Sequence, residues 1–258
     1  MRKGFFTILR NMILTSKNNP LIKETAALKE KKARKELGLF LVEGWKMALE
    51  CQKSAFEIER VFVAESYQGE TPDCPVTIVS DDVFRFLSDE KTPQGILCRV
   101  KIPDCGLQKP TGKCLLLDGV ADPGNVGTII RTANAAGYNA VYLTKDCADP
   151  FSPKSVRASM SGVFFTKLYR GERDEILSIL GDIPLLVADM AGQNVFSFAP
   201  PKEFVLAIGN EANGISDAVQ ARATHTVKIP MQETQESLNA AISAGIIMYV
   251  LQKDEFKN

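Results

Sequence analysis

The run Phe204-Val-Leu-Ala-Ile-Gly-Asn-Glu-Ala-Asn-Gly-Ile215 joins a continuous apolar segment to a polar loop that contains two glycines. A segment that is apolar at every position is typical of a strand buried on both faces of a parallel sheet. The runs Leu185-Leu-Val-Ala-Asp189 and Cys114-Leu-Leu-Leu-Asp118 have the same character. Helical patterns separate these segments, so the sequence predicts an α/β domain with a parallel sheet in the C-terminal half.

The N-terminal half alternates in a similar way. Helical patterns cover residues 20–36, 44–53 and 81–87, and strand patterns cover 39–42, 58–63, 76–79 and 95–100. Proline, glycine and polar residues cluster between residues 103 and 112. We therefore predict a smaller α/β domain over 12–104, a linker over 105–112 and a second domain over 113–258. Residues 1–11 are expected to be disordered or to precede the native start, because Met12 offers a second initiation site.

Basic residues are unevenly distributed in a chain of zero net charge. Of its 258 residues, 45% are apolar and 24% charged, which is ordinary for a globular protein. Between Lys17 and Lys35 the sequence has seven lysines and arginines but two acidic residues. Such a cluster can bind phosphates, although a solvated helix surface is the simpler explanation. The candidates for RNA contacts are Lys31, Lys32, Arg34 and Lys35.

The cysteines and histidine argue against a metal centre. The six cysteines form no CxxC pair, and His225 is the single histidine of the sequence. Scattered cysteines without a secretion signal predict a reduced, cytoplasmic protein. No apolar run reaches the ~18 residues that span a membrane, so we expect neither a metal nor a membrane partner.

Three polar segments interrupt the apolar pattern of the second half. The first, Asp118-Gly-Val-Ala-Asp-Pro-Gly-Asn-Val-Gly-Thr-Ile-Ile-Arg131, places Asn125 at a predicted helix N-cap and Arg131 inside an otherwise apolar helix. The second is the loop that carries Glu211. In the third, Ser237 and Asn239 lie where a helix begins. A snorkelling arginine, a strand-to-helix turn and a helix cap explain each segment separately, but leave Glu211 and one of the two capping residues without a role.

The final helix has the clearest apolar periodicity in the sequence. Its apolar residues form one continuous stripe at helical spacing. The residues of this stripe are Leu238, Ala241, Ile242, Gly245, Ile246, Tyr249 and Val250.

Taken together, the three segments resemble the motifs of the SpoU (TrmH-type) branch of the SPOUT RNA methyltransferases. Phe40-Leu-Val-Glu-Gly44 and Thr92-Pro-Gln-Gly95 resemble the ribosomal-protein-like substrate-binding domain often attached to it. Two positions depart from the family: Glu233 replaces a usual glycine, and Asn239-Ala-Ala replaces Asn-Val-Ser. The matching residues are Asn125 and Arg131, then Gly209, Glu211 and Gly214, then Ile229-Pro-Met231 and Ser237-Leu-Asn239.

This resemblance implies a trefoil-knot domain, a homodimer with a site completed across the interface, and methylation of a ribose 2′-hydroxyl, most often in ribosomal RNA such as 23S. S-adenosylmethionine would bind at Gly209, Ile229, Met231 and Leu238. The implied catalytic residues are Arg131, Asn125, Glu211, Ser237 and Asn239. Because the pKa of an arginine lies above about 12, we expect Arg131 to hold a phosphate and stabilise the developing alkoxide rather than to act as a base.

Three other functions are compatible with parts of the sequence. A transfer RNA 2′-O-methyltransferase would use the same motifs. A catalytically silent RNA-binding or ribosome-assembly protein would keep the fold, although the intact polar residues argue against it. A nucleotide-dependent oxidoreductase of the doubly wound type is disfavoured, because the sequence lacks GxGxxG after a strand.

Overall fold

A computed structural model describes residues 13–234 and 237–256. The chain divides into an N-terminal unit, which runs to Pro103 and includes Phe151–Pro153, and a C-terminal unit made of Asp104–Pro150 and the chain from Lys154 onward. The domain limits expected from the sequence (12–104, 105–112 and 113–258) stay predictions. The expectation for residues 1–11 concerns a segment outside the described part of the chain.

The N-terminal unit contains a four-stranded sheet with strand order β1-β4-β2-β3. Strand β4 is antiparallel to β1 and β2, and β3 is parallel to β2. One cluster of buried side chains from its strands and helices includes Ile22, Phe62 and Phe84. The elements are α1 (Pro20–Ala27), α2 (Lys31–Leu37), β1 (Leu39–Glu43), α3 (Trp45–Lys53), β2 (Ile58–Ala64), β3 (Val76–Val79), α4 (Asp81–Leu87) and β4 (Ile96–Lys101).

The helix predicted over residues 20–36 is two helices, separated by a turn at residues 28–30. Arg34 explains how the turn is stabilised. Its side chain is buried, and its Nη1 donates to the carbonyl oxygens of Leu28 and Lys29 at 2.8 and 2.7 Å. Carbonyls at a helix end lack helical partners, and the guanidinium supplies them. No glycine or proline marks this break, so local sequence signals missed it.

The C-terminal unit is built on a six-stranded, all-parallel sheet with strand order β10-β8-β9-β5-β6-β7. The chain proceeds outward from β5 through β6 to β7 and then crosses to the other side of β5, where β8, β9 and β10 lie. The direction of progression therefore reverses beside β5, between β5 and β9. Ligands of open α/β sheets bind at the carboxyl ends of strands beside such a reversal. The strands are β5 (Lys113–Asp118), β6 (Ala140–Thr144), β7 (Lys167–Gly171), β8 (Leu185–Asn194), β9 (Phe204–Gly209) and β10 (His225–Lys228).

Helices cover both faces of this sheet, which confirms the predicted α/β class. Leu115 and Leu117 of β5 pack in one buried cluster with residues of α5 and α10, whereas Leu116 packs in the opposite cluster with residues of α8 and α9. The trefoil knot stays a prediction. The helices are α5 (Pro123–Ala135), α6 (Pro153–Ser159), α7 (Gly162–Phe165), α8 (Arg173–Leu180), α9 (Asp217–Arg222) and α10 (Ala240–Leu251).

The apolar stripe of the last helix does not coincide with the face that the structure buries. The buried residues of α10 include Ala244, Ile247 and Met248, whereas Ile242 and Tyr249 are 56% and 44% exposed. Apolar residues surround most of this helix, so periodicity alone could not select the face that packs on α5. Helix α10 is apolar but has 12 residues. No helix in the described residues is long and apolar enough to cross a membrane.

Candidate active site

The turn between β5 and α5 positions Asn125. The prediction that Asn125 caps this helix is wrong, because Asp122 is the N-cap and its Oδ1 accepts the Asn125 backbone N–H at 2.9 Å. Pro123, whose ring favours the first helical turn, follows the cap. Lys154 donates to the other oxygen of Asp122 at 2.7 Å, and this hydrogen bond lowers the pKa of Asp122. The side-chain amide of Asn125 is thereby left for contacts with distant segments.

The carboxylate of Glu211 links the loop after β9 to the turn after β5. It accepts hydrogen bonds from the backbone N–H groups of Ala121 and Asp122, at 3.1 and 3.4 Å, and from Asn125 Nδ2 at 2.8 Å. Partial burial acts to raise the pKa of Glu211, but the hydrogen bonds from Asn125 and Ala121 outweigh it, and the pKa is lowered. A carboxylate held in its charged form is a weak proton acceptor at neutral pH, so its position favours an orienting role.

Asn239 extends this contact to the third predicted segment. Its Oδ1 accepts the backbone N–H groups of Ala241 and Ile242, which caps α10, and its Nδ2 donates to Asn125 Oδ1 at 3.0 Å. Glu211 only accepts hydrogen bonds, so the NH₂ group of Asn125 must face it. The oxygen of Asn125 then faces Asn239, whose own oxygen is held by the helix N-terminus. The network therefore fixes the orientation of both amides.

Two glycines allow the loop after β9 to fold back on the end of its strand. Asn210 and Gly214 exchange backbone hydrogen bonds of 2.8 and 2.9 Å, and Gly214 has a φ of 68°. A Cβ at Gly209 would lie 2.3 Å from the carbonyl carbon of Gly214, closer than side chains tolerate. Asn210 Nδ2 also donates to the Gly119 carbonyl at 2.6 Å. The Gly-rich pattern in the sequence therefore reflects close backbone approach.

A cavity of about 610 Å³ opens at the carboxyl ends of β9 and β10 and beside the middle of β8. All four residues predicted to bind the cofactor line it: Gly209, Ile229, Met231 and Leu238. Glu211, Ser237 and Asn239 of the predicted catalytic set also line the cavity. The second and third motifs thus meet at this cavity, and Asn125 of the first motif is joined to them through Glu211 and Asn239.

The lining combines apolar side chains with the polar backbone of a loop and two strand ends. Ile208, Val227 and Ile247 contribute apolar surface, and Asn210 to Ala212 with Gly214 contribute the loop. Such a lining suits a planar ring with a polar edge, because apolar groups pack the faces while main-chain groups hydrogen-bond the edge. An adenosyl group has this chemistry. Glu233 is exposed and is not among the described residues of the lining.

Sequence reasoning missed two charged residues of this lining. Asp189 and Lys228 lie on β8 and at the end of β10, and both contribute to the cavity. Asp189 Oδ1 accepts the Ala191 backbone N–H at 2.8 Å. An acidic residue directly after a continuous apolar run was a usable signal for Asp189, since Asp118 follows the apolar run of β5 in the same way.

Arg131 lies on α5 but is not among the described residues that line the cavity. Its side chain is exposed, and within residues 13–234 and 237–256 it has no hydrogen bond or ion pair. A Cβ at Gly162 would approach the Cα of Arg131 to 2.9 Å, so α7 packs tightly against the backbone there. The exposed position of Arg131 in the single chain fits a snorkelling arginine. A role for Arg131 in the site would require a second subunit.

The predicted RNA-binding cluster in the N-terminal unit is only partly exposed. Lys31, Lys32 and Lys35 are exposed on α2, and Lys32 pairs loosely with Glu36 at 3.9 Å. Arg34 is buried and holds the turn before α2, so it is unavailable to a phosphate. As for metals, the described residues include no group of three or more His, Cys, Asp or Glu side chains arranged to hold an ion, and the expectation of no metal stays a prediction.

Comparison with known proteins gives concordant matches. Residues 112–249 match the SpoU rRNA Methylase family, and residues 19–98 match the MRM3-like substrate binding domain. The chain is 32% identical over 247 residues to the 23S rRNA (guanosine(2553)-2′-O)-methyltransferase RlmP of Bacillus subtilis, which covers 93% of this chain and 98% of that protein.

Two solved structures that carry AdoMet also resemble the chain along nearly its whole length. An AdoMet-bound rRNA methyltransferase from Sinorhizobium meliloti superposes with a TM-score of 0.85 at 28% identity, over 93% of this chain and 97% of that one. The SpoU methyltransferase AviRb from Streptomyces viridochromogenes, in complex with AdoMet, gives a TM-score of 0.85 at 26% identity, over 93% and 100% of the two chains.

Proposed function

Since the chain belongs to the SpoU rRNA methylase family, we propose that it transfers a methyl group from S-adenosylmethionine to a ribose 2′-hydroxyl of 23S ribosomal RNA. The predicted family, with its attached substrate-binding domain, is confirmed. The hydrogen-bonded series Glu211–Asn125–Asn239, at the wall of a cavity formed by the predicted cofactor residues, carries the proposal. The full-length similarity to a 23S rRNA 2′-O-methyltransferase supports the substrate class.

The cavity would hold the methyl donor. When bound, S-adenosylmethionine supplies an electrophilic methyl group. Gly209, Ile229 and Met231 would contribute backbone contacts, while Leu238 and Ile247 would exclude water from the apolar part of the ligand. Fixing the donor in this way lets positioning supply much of the rate enhancement.

The polar network would orient the ribose. The amide groups of Asn125 and Asn239 each have two N–H bonds, and the hydrogen bonds within the network use one of each. The second N–H of each amide can donate to a ribose or phosphate oxygen. Glu211 keeps Asn125 in place, and its lowered pKa leaves it a carboxylate at neutral pH.

A homodimer would complete the site. Arg131 is exposed and lies outside the cavity lining of its own chain. The outer face of α10 presents Ile242 and Tyr249, and the Tyr249 ring stacks on Phe256 with centroids 5.5 Å apart. Exposed apolar groups on one helix face favour burial against a second subunit. In this arrangement Arg131 of the partner subunit would bind the substrate phosphate and stabilise the alkoxide as the proton leaves.

Two inactive variants test the shared site. Arg131→Met and Asn239→Ala should each lose activity alone, because each removes a group from every site. Mixed under conditions that exchange subunits, they should recover about a quarter of wild-type activity, since half of the dimers are mixed and each has one intact site. Two outcomes would contradict the shared site. One is recovery of activity in the mixture although the protein is monomeric, and the other is no recovery of activity although mixed dimers form.

The reaction itself is tested with purified protein and S-adenosylmethionine labelled in its methyl group. We expect label at a 2′-O position of 23S ribosomal RNA, and the same position should lose its methyl group in a deletion strain. Label in transfer RNA instead would favour the alternative substrate. Absence of donor binding by isothermal titration would favour a catalytically silent RNA-binding protein.

RNA contacts by α2 are a separate part of the proposal. Lys31, Lys32 and Lys35 would contact phosphates, so changing all three to glutamate should weaken RNA binding and reduce the slope of affinity against salt concentration. The matched control changes Lys46, Lys53 and Lys101 of the same unit. An equal loss in the control would assign the effect to net charge. The cytoplasmic location rests on the cysteine pattern, and cell fractionation tests it.

A further inference from the structure

A second polar network lies at the carboxyl ends of β5 and β6, and we call it the Asp118 network. Asp118, at the end of β5, has a fully buried side chain. Its Oδ1 accepts a hydrogen bond from Arg173 Nε at 2.6 Å. Arg173 Nη2 donates to Asp146 Oδ2 at 2.7 Å. One guanidinium at the start of α8 therefore joins the ends of two neighbouring strands.

The other oxygen of Asp118 reaches the loop that follows β9. Asp118 Oδ2 accepts the backbone N–H of Ser216 at 2.7 Å. Ser216 is the N-cap residue of α9 and closes the loop that begins at Asn210. The opposite end of this loop is held by Asn210, through Gly119. The loop that carries Glu211 thus has two anchors, and Asp118 provides one of them.

We propose that Arg173 is a positioning residue for methyl transfer, which acts by keeping the Asp118 carboxylate in place and, through it, the loop from Asn210 to Ser216. This inference rests on the proposed function, because that loop lines the cavity assigned to S-adenosylmethionine. Arg173 itself does not line the cavity.

The reason lies in the burial of Asp118. A buried carboxylate that loses its cation must take up a proton or move toward water, and either change weakens its second hydrogen bond. The hydrogen bond to Asp118 raises the pKa of Arg173, so the guanidinium stays charged. Arginine suits this position because its planar fork can reach two carboxylates at fixed angles, whereas lysine offers a point charge.

The test compares Arg173→Ala, Arg173→Lys and the wild type. In Arg173→Ala, the dissociation constant of S-adenosylmethionine should rise about tenfold or more, because the cavity wall moves. The KM for RNA should change less than twofold, because no RNA contact is removed. The dissociation constant of S-adenosylmethionine for Arg173→Lys should lie between those for Arg173→Ala and the wild type. Ethylguanidinium at millimolar concentration should partly restore donor binding in Arg173→Ala but not in Arg173→Lys, which has no space for it.

Arg170→Ala is the matched control. Arg170 lies on β7 and donates to the carbonyls of Lys145 and Cys147 rather than to Asp118. It should leave donor binding near the wild-type value, and ethylguanidinium should have no effect. Equal losses in both arginine variants, or no rescue of Arg173→Ala, would overturn the positioning role.

Amide hydrogen exchange separates this inference from the proposed function. In the ligand-free protein, the Ser216 amide should exchange faster in Arg173→Ala than in the wild type and in Arg170→Ala. If wild-type protein fails to bind S-adenosylmethionine, the proposed function is wrong, and the exchange rate still tests the link from Arg173 to the loop. Unchanged exchange at Ser216 would refute that link.

Discussion

Two polar networks lie at the same edge of the C-terminal sheet, and they differ in how completely their polar groups are paired within the network. The Asp118 network pairs opposite charges around a buried carboxylate, and both oxygens of Asp118 are used. The second, which we call the Glu211 network, joins one carboxylate to the neutral amides of Asn125 and Asn239 at the cavity wall. The comparison indicates that the closed network mainly stabilises the fold, whereas the open one keeps donors available for a ligand.

The two networks differ in their contact with solvent, and this sets the free-energy cost of breaking each of them. Burial makes a broken charge pair costly, since the remaining ion loses its hydration without compensation. The Glu211 network is more exposed, so water can replace a lost hydrogen bond at smaller cost. Substitutions in the Asp118 network should therefore lower stability, and substitutions in the Glu211 network should lower activity more than stability.

The largest effect is expected for Asp118→Asn. The substitution removes the charge that Arg173 neutralises and should lower the free energy of unfolding by about 3 kcal/mol. Chemical denaturation of the whole chain measures it. A loss below about 1 kcal/mol would show that the two networks do not differ as proposed.

Gly209→Ala should have the next largest effect, because both networks depend on the loop that follows this residue. The added Cβ would collide with the backbone of Gly214 and Ile215, and such overpacking costs about 1–3 kcal/mol. Donor affinity, measured by titration calorimetry, should fall with it. Gly106→Ala is the control, since a Cβ there meets nothing within 4 Å. Normal donor binding by the Gly209 variant would argue against a tight loop.

Glu211→Gln tests the open network. The amide cannot accept from three donors as the carboxylate does, so turnover should fall about tenfold while stability changes by about 1 kcal/mol or less. Single-turnover rates and denaturation curves of the same preparation give both numbers. A stability loss equal to that of Asp118→Asn, with normal turnover, would reverse the assignment of the two networks.

The pH dependence sharpens the same test. Because the pKa of Glu211 is lowered in the folded protein, its stabilising contribution is complete above the unfolded-state pKa of about 4.3. It is lost as the pH falls through the folded-state pKa. The stability difference between wild type and Glu211→Gln should therefore be constant from pH 6 to 8 and shrink in acid, as thermal unfolding across pH would show. A difference that changes around neutral pH would contradict this account.

Asp146→Asn should have the smallest effect. Its side chain is 55% exposed, and exposed ion pairs contribute about 0–1 kcal/mol. Asp118 would retain its own hydrogen bond to Arg173. Chemical denaturation of Asp146→Asn and Asp118→Asn under the same conditions compares the two. Equal losses in the free energy of unfolding would show that burial does not set the cost of losing the ion pair.

The sequence predicted much of the fold because its signals are local. Continuous apolar runs identified β5, β8 and β9 within two residues of their starts, and the alternation with helical patterns gave the α/β class. The break between α1 and α2 escaped, since it depends on a buried Arg34 side chain rather than on a local turn residue. The buried face of α10 escaped for a related reason: a helix that is apolar on most sides does not show in its sequence which side has a partner.

The sequence by itself determined which residues are chemically special. A turn gave Glu211 no role, and capping explained only one of Ser237 and Asn239. Asn125 was predicted as a helix cap, and the resemblance grouped it with Glu211 and Asn239. Tertiary structure decided their contacts: Asp122 caps α5, which frees Asn125 to join Glu211 and Asn239. It also decided that Asp118 and Arg173 pair, since residues on separate strands and helices meet only when the sheet forms. Pairing across long sequence separations depends on strand order, which no local pattern contains.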